Sequence, residues 1–390
     1  MKMNLSKKGI KKFHKKNPLI QEDDLLQVKD TQDWVSFVDS QGKIVGTGYL
    51  GKQNKGIGWV LAFEDRPINK DFFEAAFAKA KAKRSAYYAS EETDAFRRIV
   101  NGEGDHLGGL TIDLYREFAV FSWYNETLYQ NKSLLIQAFQ QVFPEVKGAV
   151  EKIRFDSDLP ESAAVYGEEA PEPLIVKENG VHYATYLNEG LMTGIFLDQK
   201  EVRGQLAEGL SAGMTVLNMF SYTGAFSVAA AMGGATKTTS VDLAKRSLEK
   251  TKEQFAINGF DPEKQKIHVM DVFGYFKYAK KKELTFDMII LDPPSFARNK
   301  KKVFSVAKNY GELVTDSLAI MNEEGLLIAS TNAANLSQKK FQQMIEEAMD
   351  QAQVTYQCIQ EYRLPSDFAV DPNFLEGNYL KVFFYQIKKE

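Results

Sequence analysis

The sequence predicts an α/β protein, with a mostly parallel, doubly wound sheet in its C-terminal half and a small β-barrel near its start. Three observations support this prediction. From Thr215 onward, apolar strand candidates alternate with helical stretches, as in crossover connections. Between residues 34 and 63, short alternating runs are separated by the turn sequences DSQGK and GKQNKG. The chain also contains no internal repeat that would indicate a solenoid.

Length and composition limit the classes of protein that the chain can belong to. With 390 residues it exceeds one ordinary core, so two or three domains are expected. A single cysteine, Cys358, excludes a disulfide framework and fits a reducing compartment. The most apolar long window, residues 216–234, is interrupted by polar side chains, and the basic N terminus lacks an apolar signal region. We therefore expect a cytoplasmic protein without a membrane partner.

The N-terminal half is predicted to contain a barrel followed by mixed α/β elements. Residues 34–63 predict five or six short strands, and an apolar stripe over residues 67–80 predicts a helix. A glycine-punctuated hairpin, NGEGDHLGGLTIDLY, precedes a strand at 118–124 and a helix at 132–143. The acidic, proline-bearing residues 156–173 are the best linker candidate. A hairpin follows with Asn179 and Gly180 at its turn.

The C-terminal half supplies the strands and helices of the doubly wound sheet. Helical stretches are predicted at residues 243–258, 306–321 and 337–351. The strand candidates, in order, are TVLNMF, TTSVD, KIHVMD, FDMIILD, GLLIAST, VTYQCIQEYR and YLKVFFYQI. Ligands of such sheets bind outside the carboxyl ends of the strands, at the topological switch point.

The residues at those strand ends indicate which ligand binds. The loop after the first strand has one glycine, Gly224, where a dinucleotide-binding loop would have G-x-G-x-x-G. Asp242, Asp271 and Asp292 end the second, third and fourth strands. Three carboxylates suit ribose hydroxyls, an adenine amine and a cationic tail, which S-adenosylmethionine combines without a phosphate. NAD is the alternative ligand, and the missing glycines disfavour it. For Asp242 alone, a helix N-cap is an equal alternative.

The stretch DMIILDPPSF ends the fourth strand in a rigid, acidic loop. Pro293 and Pro294 cannot continue the ladder of hydrogen bonds and fix the backbone. The carbonyl of Pro293 can accept a hydrogen bond from a nucleobase amine, and Phe296 can stack on a flipped base. Each feature alone also fits an ordinary proline-terminated strand with a core phenylalanine.

Charge gives a weak indication of a polyanionic partner. The net charge is −3, yet seven lysines and no acid lie between Lys2 and Lys16. Smaller basic clusters lie at residues 79–84, 277–282 and 298–302. Solvated surface is the simpler interpretation of any one cluster, and several together are compatible with RNA. No metal site is predicted.

The motifs together resemble those of the bacterial large-subunit (23S) ribosomal RNA methyltransferases, the family that includes the cytosine-C5 enzyme. The resemblance covers nearly the whole chain and is carried by NGEGDHLGGLTIDLY, LNEGLMTGIFLDQKEVR, VLNMFSYTGAFSVAAAMGG, VDLA, DVF, LDPPSF and EGNYLK. It implies a PUA-like RNA-binding barrel at 1–66, a central α/β domain at 67–185 and a Rossmann-like class I methyltransferase domain at 186–390.

The resemblance also implies which residues form the site. Phe220, Ser221, Thr223 and Gly224, with the neighbouring Asn218, would surround the methionine moiety of S-adenosylmethionine. Asp242 would bind the ribose, Asp271 the adenine amine, and Asp292 would face the zone of methyl transfer. Phe196, Asp198 and Gln199 of the FLDQ motif would line the same pocket. The residues that we expect to act on the accepting base are Asp292, Pro293, Phe296 and Asn332.

One departure from the family pattern concerns the methylated atom. Cytosine-C5 members carry a nucleophilic cysteine in a Ser-Cys-Ser context at the end of the fifth strand, where this sequence reads IASTNAAN, with Ser330, Thr331 and Asn332. Threonine cannot replace a thiolate, and Cys358 is interpreted as a core residue. The DPPSF and STN sequences look more like the related guanine-N7 domain.

Three functions therefore stay open from the sequence. The first is methylation of a base of 23S ribosomal RNA, or of a large-subunit precursor, at cytosine C5 or by direct transfer to guanine N7 or an exocyclic amine. The second is a non-catalytic ribosome assembly factor that binds S-adenosylmethionine and RNA. The third is a nicotinamide-dependent oxidoreductase, which the glycine pattern disfavours. A homodimer is an open expectation.

Overall fold

The computed structural model of the chain describes residues 1–28, 33–53, 55–94, 97–299 and 302–389. The chain divides into two compact units. The first unit comprises Met1–Val176, Thr185–Thr193 and Ser366–Gly377, and the second comprises Lys177–Ala184, Gly194–Pro365 and Asn378–Glu390. Among the described residues, no helix combines the length and the apolar character needed to cross a membrane.

The first unit begins with a five-stranded sheet and one helix, α1 (Lys7–His14). Its strands are β1 (Lys2–Asn4), β2 (Leu19–Ile20), β3 (Trp34–Val38), β4 (Ile44–Leu50) and β5 (Gly58–Ala62), in the order β1-β3-β4-β5-β2. Five or six strands were predicted between residues 34 and 63, and this number is wrong: the described part of that range forms three, β3, β4 and β5. The other two strands of the sheet, β1 and β2, lie before residue 34. They were not predicted, because they are too short to show an alternating pattern within the lysine-rich start.

A second five-stranded sheet follows in the same unit, with helices α2 (Lys70–Lys83), α3 (Ser85–Tyr88), α4 (Glu126–Gln130) and α5 (Lys132–Val142). Its strands are β6 (Arg97–Asn101), β7 (Leu110–Tyr115), β8 (Phe118–Trp123), β9 (Gly148–Ile153) and β10 (Ser162–Gly167), in the order β10-β9-β8-β7-β6. The predicted linker at 156–173 is therefore wrong in part. Its central residues form the edge strand β10, whose backbone pairs antiparallel with β9 despite the acidic flanks.

The predicted hairpin with Asn179 and Gly180 at its turn is confirmed. It consists of β11 (Leu174–Glu178) and β12 (Val181–Thr185). The two turn residues have φ angles of 50° and 75°, the left-handed pair that a tight two-residue hairpin turn requires.

The two sheets of the first unit share one hydrophobic core. Tyr49 of β4 is fully buried; it donates a hydrogen bond to the carbonyl of Gly108 (2.8 Å) and accepts one from Asn125 (2.6 Å). The rings of Trp59 and Phe374 pack edge to face at 5.4 Å. This core continues across the predicted boundary between residues 66 and 67, a boundary that stays a prediction.

The second unit contains a seven-stranded sheet and six helices within the described part of the chain. The strands are β13 (Thr215–Met219), β14 (Lys237–Asp242), β15 (Lys266–Val269), β16 (Phe286–Leu291), β19 (Met321–Thr331), β20 (Thr355–Tyr362) and β21 (Lys381–Lys388), with a separate hairpin of β17 (Phe296–Asn299) and β18 (Lys302–Ser305). The helices are α6 (Lys200–Gln205), α7 (Ala225–Met232), α8 (Ser247–Ala256), α9 (Val272–Lys281), α10 (Val306–Leu318) and α11 (Gln338–Gln351).

The strands of this sheet are arranged in the order β15-β14-β13-β16-β19-β21-β20, and this order determines where a ligand site is expected. The first five strands run parallel, while β21 runs antiparallel to both of its neighbours. Their apolar runs are buried; Met288, Ile289 and Ile290 of β16, for example, are inaccessible. Because β13 lies between β14 and β16, the chain reverses direction across the sheet there, and this switch point is the expected ligand site. The doubly wound sheet predicted from the sequence is confirmed.

Candidate cofactor and acceptor site

A pocket of about 370 Å³ lies at the carboxyl ends of the parallel strands of the second unit. The residues lining it come from the FLDQ stretch, from the loops after β13 to β16 and β19, and from the approach to β21. They are Phe196, Asp198, Gln199, Phe220, Tyr222, Asp242, Leu243, Asp271, Val272, Phe273, Asp292, Pro293, Pro294, Phe304, Asn332 and Leu380. The structure thus brings together nine of the fourteen residues predicted for the site.

The other five predicted residues are not part of this lining. Asn218 is buried at the end of β13 and donates from Nδ2 to Ser227 Oγ at 3.0 Å. Phe296 is 59% exposed and begins β17. Ser221 and Thr223 are buried in the loop that follows β13, as is the backbone of Gly224 at the start of α7. Their assignments as ligands stay predictions.

The loop after β13 adopts an unusual backbone conformation without the glycines of a dinucleotide-binding loop. Phe220 and Tyr222 have φ angles of 59° and 51°, the left-handed region that costs roughly 1–3 kcal/mol per residue for ordinary side chains. Hydrogen bonds fix the loop. The Ser221 amide donates to the carbonyl of Val241 (3.0 Å), and Thr223 Oγ1 donates to the carbonyl of Gly194 (2.7 Å). Two aromatic side chains are thereby directed at the pocket.

Two carboxylates occupy the half of the pocket formed by β14 and β15. Asp242 accepts hydrogen bonds from the backbone amides of Tyr222 and Ala244, each at 2.8 Å. Since α8 begins only at Ser247, Asp242 is not a helix N-cap, and each of its oxygens keeps a lone pair. Asp271 caps α9 by accepting from the Gly274 amide (3.0 Å) and also lines the pocket.

A second pair of carboxylates lies at the other half of the pocket: Asp292 follows β16, and Asp198 lies in the short turn before α6. Gln199 Nε2 donates to Asp292 Oδ1 (3.2 Å) and to Ser330 Oγ (2.7 Å), which ties the two strand ends together. Tyr379 donates to Asp198 Oδ2 at 2.9 Å. Burial, followed by the negative charge of Asp198, raises the pKa of Asp292 to about 6.

The rim near Asp292 is formed by the proline loop and the hairpin that follows it. Pro293 is buried and Pro294 exposed. Ser295 Oγ donates to Asn332 Oδ1 at 2.6 Å, which joins the loops after β16 and β19. Phe304 of β18 is buried, and its ring lies 6.2 Å from that of Phe220.

Sequence reasoning missed several residues that line the pocket. They are Tyr222, Leu243, Val272, Phe273, Phe304 and Leu380. The first four lie within two residues of a predicted ligand, so proximity was a usable signal. Phe304 gave no such signal, because the β17–β18 hairpin was not predicted.

Cys358 lies outside the pocket. It belongs to β20, the edge strand of the sheet, which β21 separates from β19. Its Sγ makes a weak contact with the carbonyl of Gln360 (3.7 Å), and burial raises the pKa of its thiol. The sequence-based interpretation of Cys358 as a packing residue fits this position.

The residues of the pocket fit S-adenosylmethionine. The lining contains four aspartates and, within the described part of the chain, no lysine, arginine or histidine. Such a site attracts a cation and offers nothing to a pyrophosphate. Leu243, Val272 and Phe273 supply apolar walls for an adenine ring. No group of side chains suited to a metal ion is found among the described residues.

The strand order of the second unit, the pocket at its switch point and the acidic lining of that pocket define a class I methyltransferase domain. The family model for S-adenosylmethionine-dependent methyltransferases matches residues 145–379, and the model for a PUA-like domain matches residues 3–63. The chain belongs to this S-adenosylmethionine-dependent methyltransferase family, with an N-terminal PUA-like domain, and it is a methyltransferase whose cofactor is S-adenosylmethionine.

Relatives and solved structures agree with this membership. The chain is 46% identical over 99% of both chains to YwbD of Bacillus subtilis (strain 168), which is named as a ribosomal RNA large subunit methyltransferase. It is 31% identical, over 90% of this chain and 89% of the relative, to ribosomal RNA large subunit methyltransferase I of Serratia proteamaculans. The crystal structure of SMU.776, described as a methyltransferase complexed with SAH, superposes with a TM-score of 0.94 at 46% identity, covering 99% of this chain and all of that one.

Proposed function

We propose that this methyltransferase modifies a base of large-subunit ribosomal RNA by direct transfer to a nitrogen atom, with guanine N7 as the favoured target. The RNA class is supported by the names of the two relatives, which are similar to this chain over at least 89% of their lengths. The route is supported by the absence of a thiol from the described lining of the pocket.

The missing thiol argues against the cytosine-C5 route. Carbon 5 of cytosine becomes nucleophilic only after a thiolate adds to carbon 6. Ser330 and Thr331 stand at the end of β19, where cytosine-C5 members carry the cysteine, and both are buried. Their hydroxyl groups are far weaker acids than a thiol. Cys358, on the edge strand, is not part of the pocket.

The same pocket is suited to direct transfer. When bound, S-adenosylmethionine supplies an electrophilic methyl group. In this proposal Asp242 accepts hydrogen bonds from the ribose and Asp271 from the adenine amine, with Leu243 and Phe273 as apolar walls. Asp198 and Asp292 place negative charge beside the positively charged sulfur and orient it toward the rim.

Guanine N7 requires the least further chemistry from the protein. Its lone pair lies in the plane of the base and carries no proton, so no general base is needed. An exocyclic amine would lose a proton, which Asp292 could accept. At the rim, Phe296 stacks on the base, and the carbonyl of Pro293 and the amide of Asn332 hold its edge, in agreement with the predicted roles of these residues.

The test is nucleoside mass spectrometry of ribosomal RNA from a strain that lacks the gene, complemented in turn by the wild type, Asp292→Ala and Cys358→Ser. We expect 7-methylguanosine to decrease in the deletion strain and to return with the wild type and Cys358→Ser, but not with Asp292→Ala. If the deletion strain instead lacks a nucleoside methylated on an exocyclic amine, the target is that exocyclic nitrogen and not guanine N7. Loss of 5-methylcytidine that Cys358→Ser fails to restore would overturn the direct route.

An assay with the purified protein distinguishes methyl transfer from a role in binding alone. If it binds S-adenosylmethionine and RNA yet transfers no tritiated methyl group to unmodified large-subunit RNA or to subunits from the deletion strain, the assembly-factor alternative replaces the proposal. Covalent trapping on RNA that contains 5-fluorocytidine would identify a thiolate route directly, and we expect no such adduct.

A further inference from the structure

A cavity of about 150 Å³ in the first unit is lined by β5, the loop after it, one face of α2 and the turn after β6. Its floor is apolar and consists of Leu61, Ala62, Phe72, Ala75, Ala76 and Ala80. Its remaining lining residues are four basic side chains and one acid: Arg66, Lys79, Lys83, His106 and Asp105. We name this cavity, with its basic rim, the basic crevice.

Two of the rim cations, Arg66 and Lys79, are not engaged in close ion pairs within the described part of the chain. On the same helix, Lys70 pairs with Glu74 (3.1 Å) and Lys81 with Glu145 (2.8 Å). Lys79 is exposed and has no ion-pair partner within the described part of the chain. Arg66 lies 5.2 Å above the ring of Phe72 and reaches Glu64 only at 3.9 Å.

The one acid of the lining does not cancel this charge. The side chain of Asp105 is 1% exposed. It accepts hydrogen bonds from both terminal nitrogens of Arg84, at 2.8 and 2.6 Å, and from Lys83 Nζ at 3.0 Å. Arg84 is itself fully buried, so it faces no ligand. Two cations thus neutralise one carboxylate beneath the rim, and the crevice presents positive charge to the solvent.

We infer that the basic crevice is a second RNA contact, in which an unstacked base enters the apolar floor while Arg66, Lys79 and His106 hold the flanking phosphates. The inference rests on the proposed function, since RNA is its substrate class. Single-stranded RNA is recognised by this combination of an apolar or aromatic floor for a base and cations for the backbone. An acidic peptide would use the cations and leave the floor without a partner.

The cations are tested by the charge-neutral variants Arg66→Gln and Lys79→Gln, singly and together, with Lys147→Gln as a matched control. Lys147 is an exposed lysine of the first unit with only a loose surface pair to Glu117 (3.6 Å). The probe is an unmodified large-subunit ribosomal RNA transcript. We expect the double variant to raise the Kd for RNA roughly tenfold and to reduce the salt slope by about 1.4, or 0.7 per phosphate. S-adenosylmethionine binding should not change.

The floor is tested separately by Ala76→Leu, which fills the cavity without changing its charge. We expect weaker RNA binding at an unchanged salt slope, with thermal unfolding measured to verify the fold. If Ala76→Leu does not fold, the variants Arg66→Gln and Lys79→Gln still test whether the basic crevice binds RNA. If the wild type methylates RNA and Arg66→Gln/Lys79→Gln leaves both the Kd for RNA and the salt slope unchanged, the RNA contact at the basic crevice is overturned and the proposed function is not. A wild type that neither binds nor methylates RNA would overturn the proposed function instead.

Discussion

At the scale of single residues, Asp242 provides the most direct test of cofactor binding. We expect Asp242→Asn to weaken S-adenosylmethionine binding by roughly 1.5–3 kcal/mol, because a charged acceptor for the ribose is lost. Isothermal calorimetry measures this change. Asp261→Asn is the control, since Asp261 lies outside the pocket, where it caps a short turn through the Glu263 amide and makes a loose pair with Lys264 (3.8 Å). Equal affinity in the wild type and Asp242→Asn would contradict the assignment.

Asp292 should make the stability of the ligand-free protein depend on pH. An ordinary aspartate has a pKa near 4, whereas burial raises the pKa of Asp292 to about 6. Below pH 4 the group is protonated in both the folded and unfolded states and costs nothing. As the pH rises from 4 to 6, the folded state must ionise a buried acid and loses stability.

We therefore expect Asp292→Asn to unfold like the wild type at pH 4 and to be more stable by roughly 3 kcal/mol at pH 7, because each pKa unit corresponds to about 1.4 kcal/mol. Urea titrations at both pH values measure the difference in the free energy of unfolding. A difference between the two proteins that does not change with pH would show that Asp292 titrates normally.

The sequence predicted the residues of the site unevenly, and the reasons are physical. Asp242, Asp271 and Asp292 were found because strand ends are visible in the apolar pattern and parallel strands bring their ends together. Tyr222 was missed because a left-handed φ at a non-glycine residue depends on its hydrogen bonds, such as the one from its amide to Asp242. No local pattern encodes such bonds.

At the scale of elements, the junction of β13 with α7 depends on Gly224. Its φ is 79°, and a Cβ there would approach Thr251 Cγ2 to 2.5 Å. We expect Gly224→Ala to lose roughly 2–4 kcal/mol of stability, from backbone strain and overpacking together. Gly259→Ala is the matched control, because Gly259 has a φ of 80° with nothing within 4 Å.

Gly259→Ala should therefore cost only the backbone strain, roughly 1 kcal/mol. Thermal or urea unfolding of the two variants separates strain from overlap. If both variants lost the same stability, contact with Thr251 would have no part in fixing the junction.

Among the elements, long periodic segments were predicted well and short ones poorly. Helix α11 and strand β16 lie within about one residue of their predicted bounds, since each buries a regular apolar pattern. The hairpin of β17 and β18 was missed, and the predicted basic cluster at 298–302 lies partly outside the described residues. Four-residue strands show too few alternations to be recognised. In the cluster at 79–84, Arg84 is a buried ion-pair partner, which composition alone could not indicate.

At the scale of the whole molecule, the shared core of the first unit determines which experiments are informative. Deleting residues 1–66 would remove Tyr49 and Trp59 from that core and expose the apolar side chains that they cover. Loss of RNA affinity after such a deletion would not distinguish a lost contact from a lost fold. Point variants at the surface of the unit, such as Lys79→Gln, avoid this ambiguity.

The two units should also respond differently to the cofactor, because every residue lining the strand-end pocket belongs to the second unit. A ligand at 100 times its Kd stabilises the state that binds it by about 2.7 kcal/mol. We therefore expect S-adenosylmethionine to slow amide hydrogen exchange in the loops after β13 to β16, and to leave exchange in β3 to β5 unchanged. Asp242→Asn, compared at the same cofactor concentration, should show less protection in those loops. Equal protection of both units by the cofactor would contradict its confinement to the second unit.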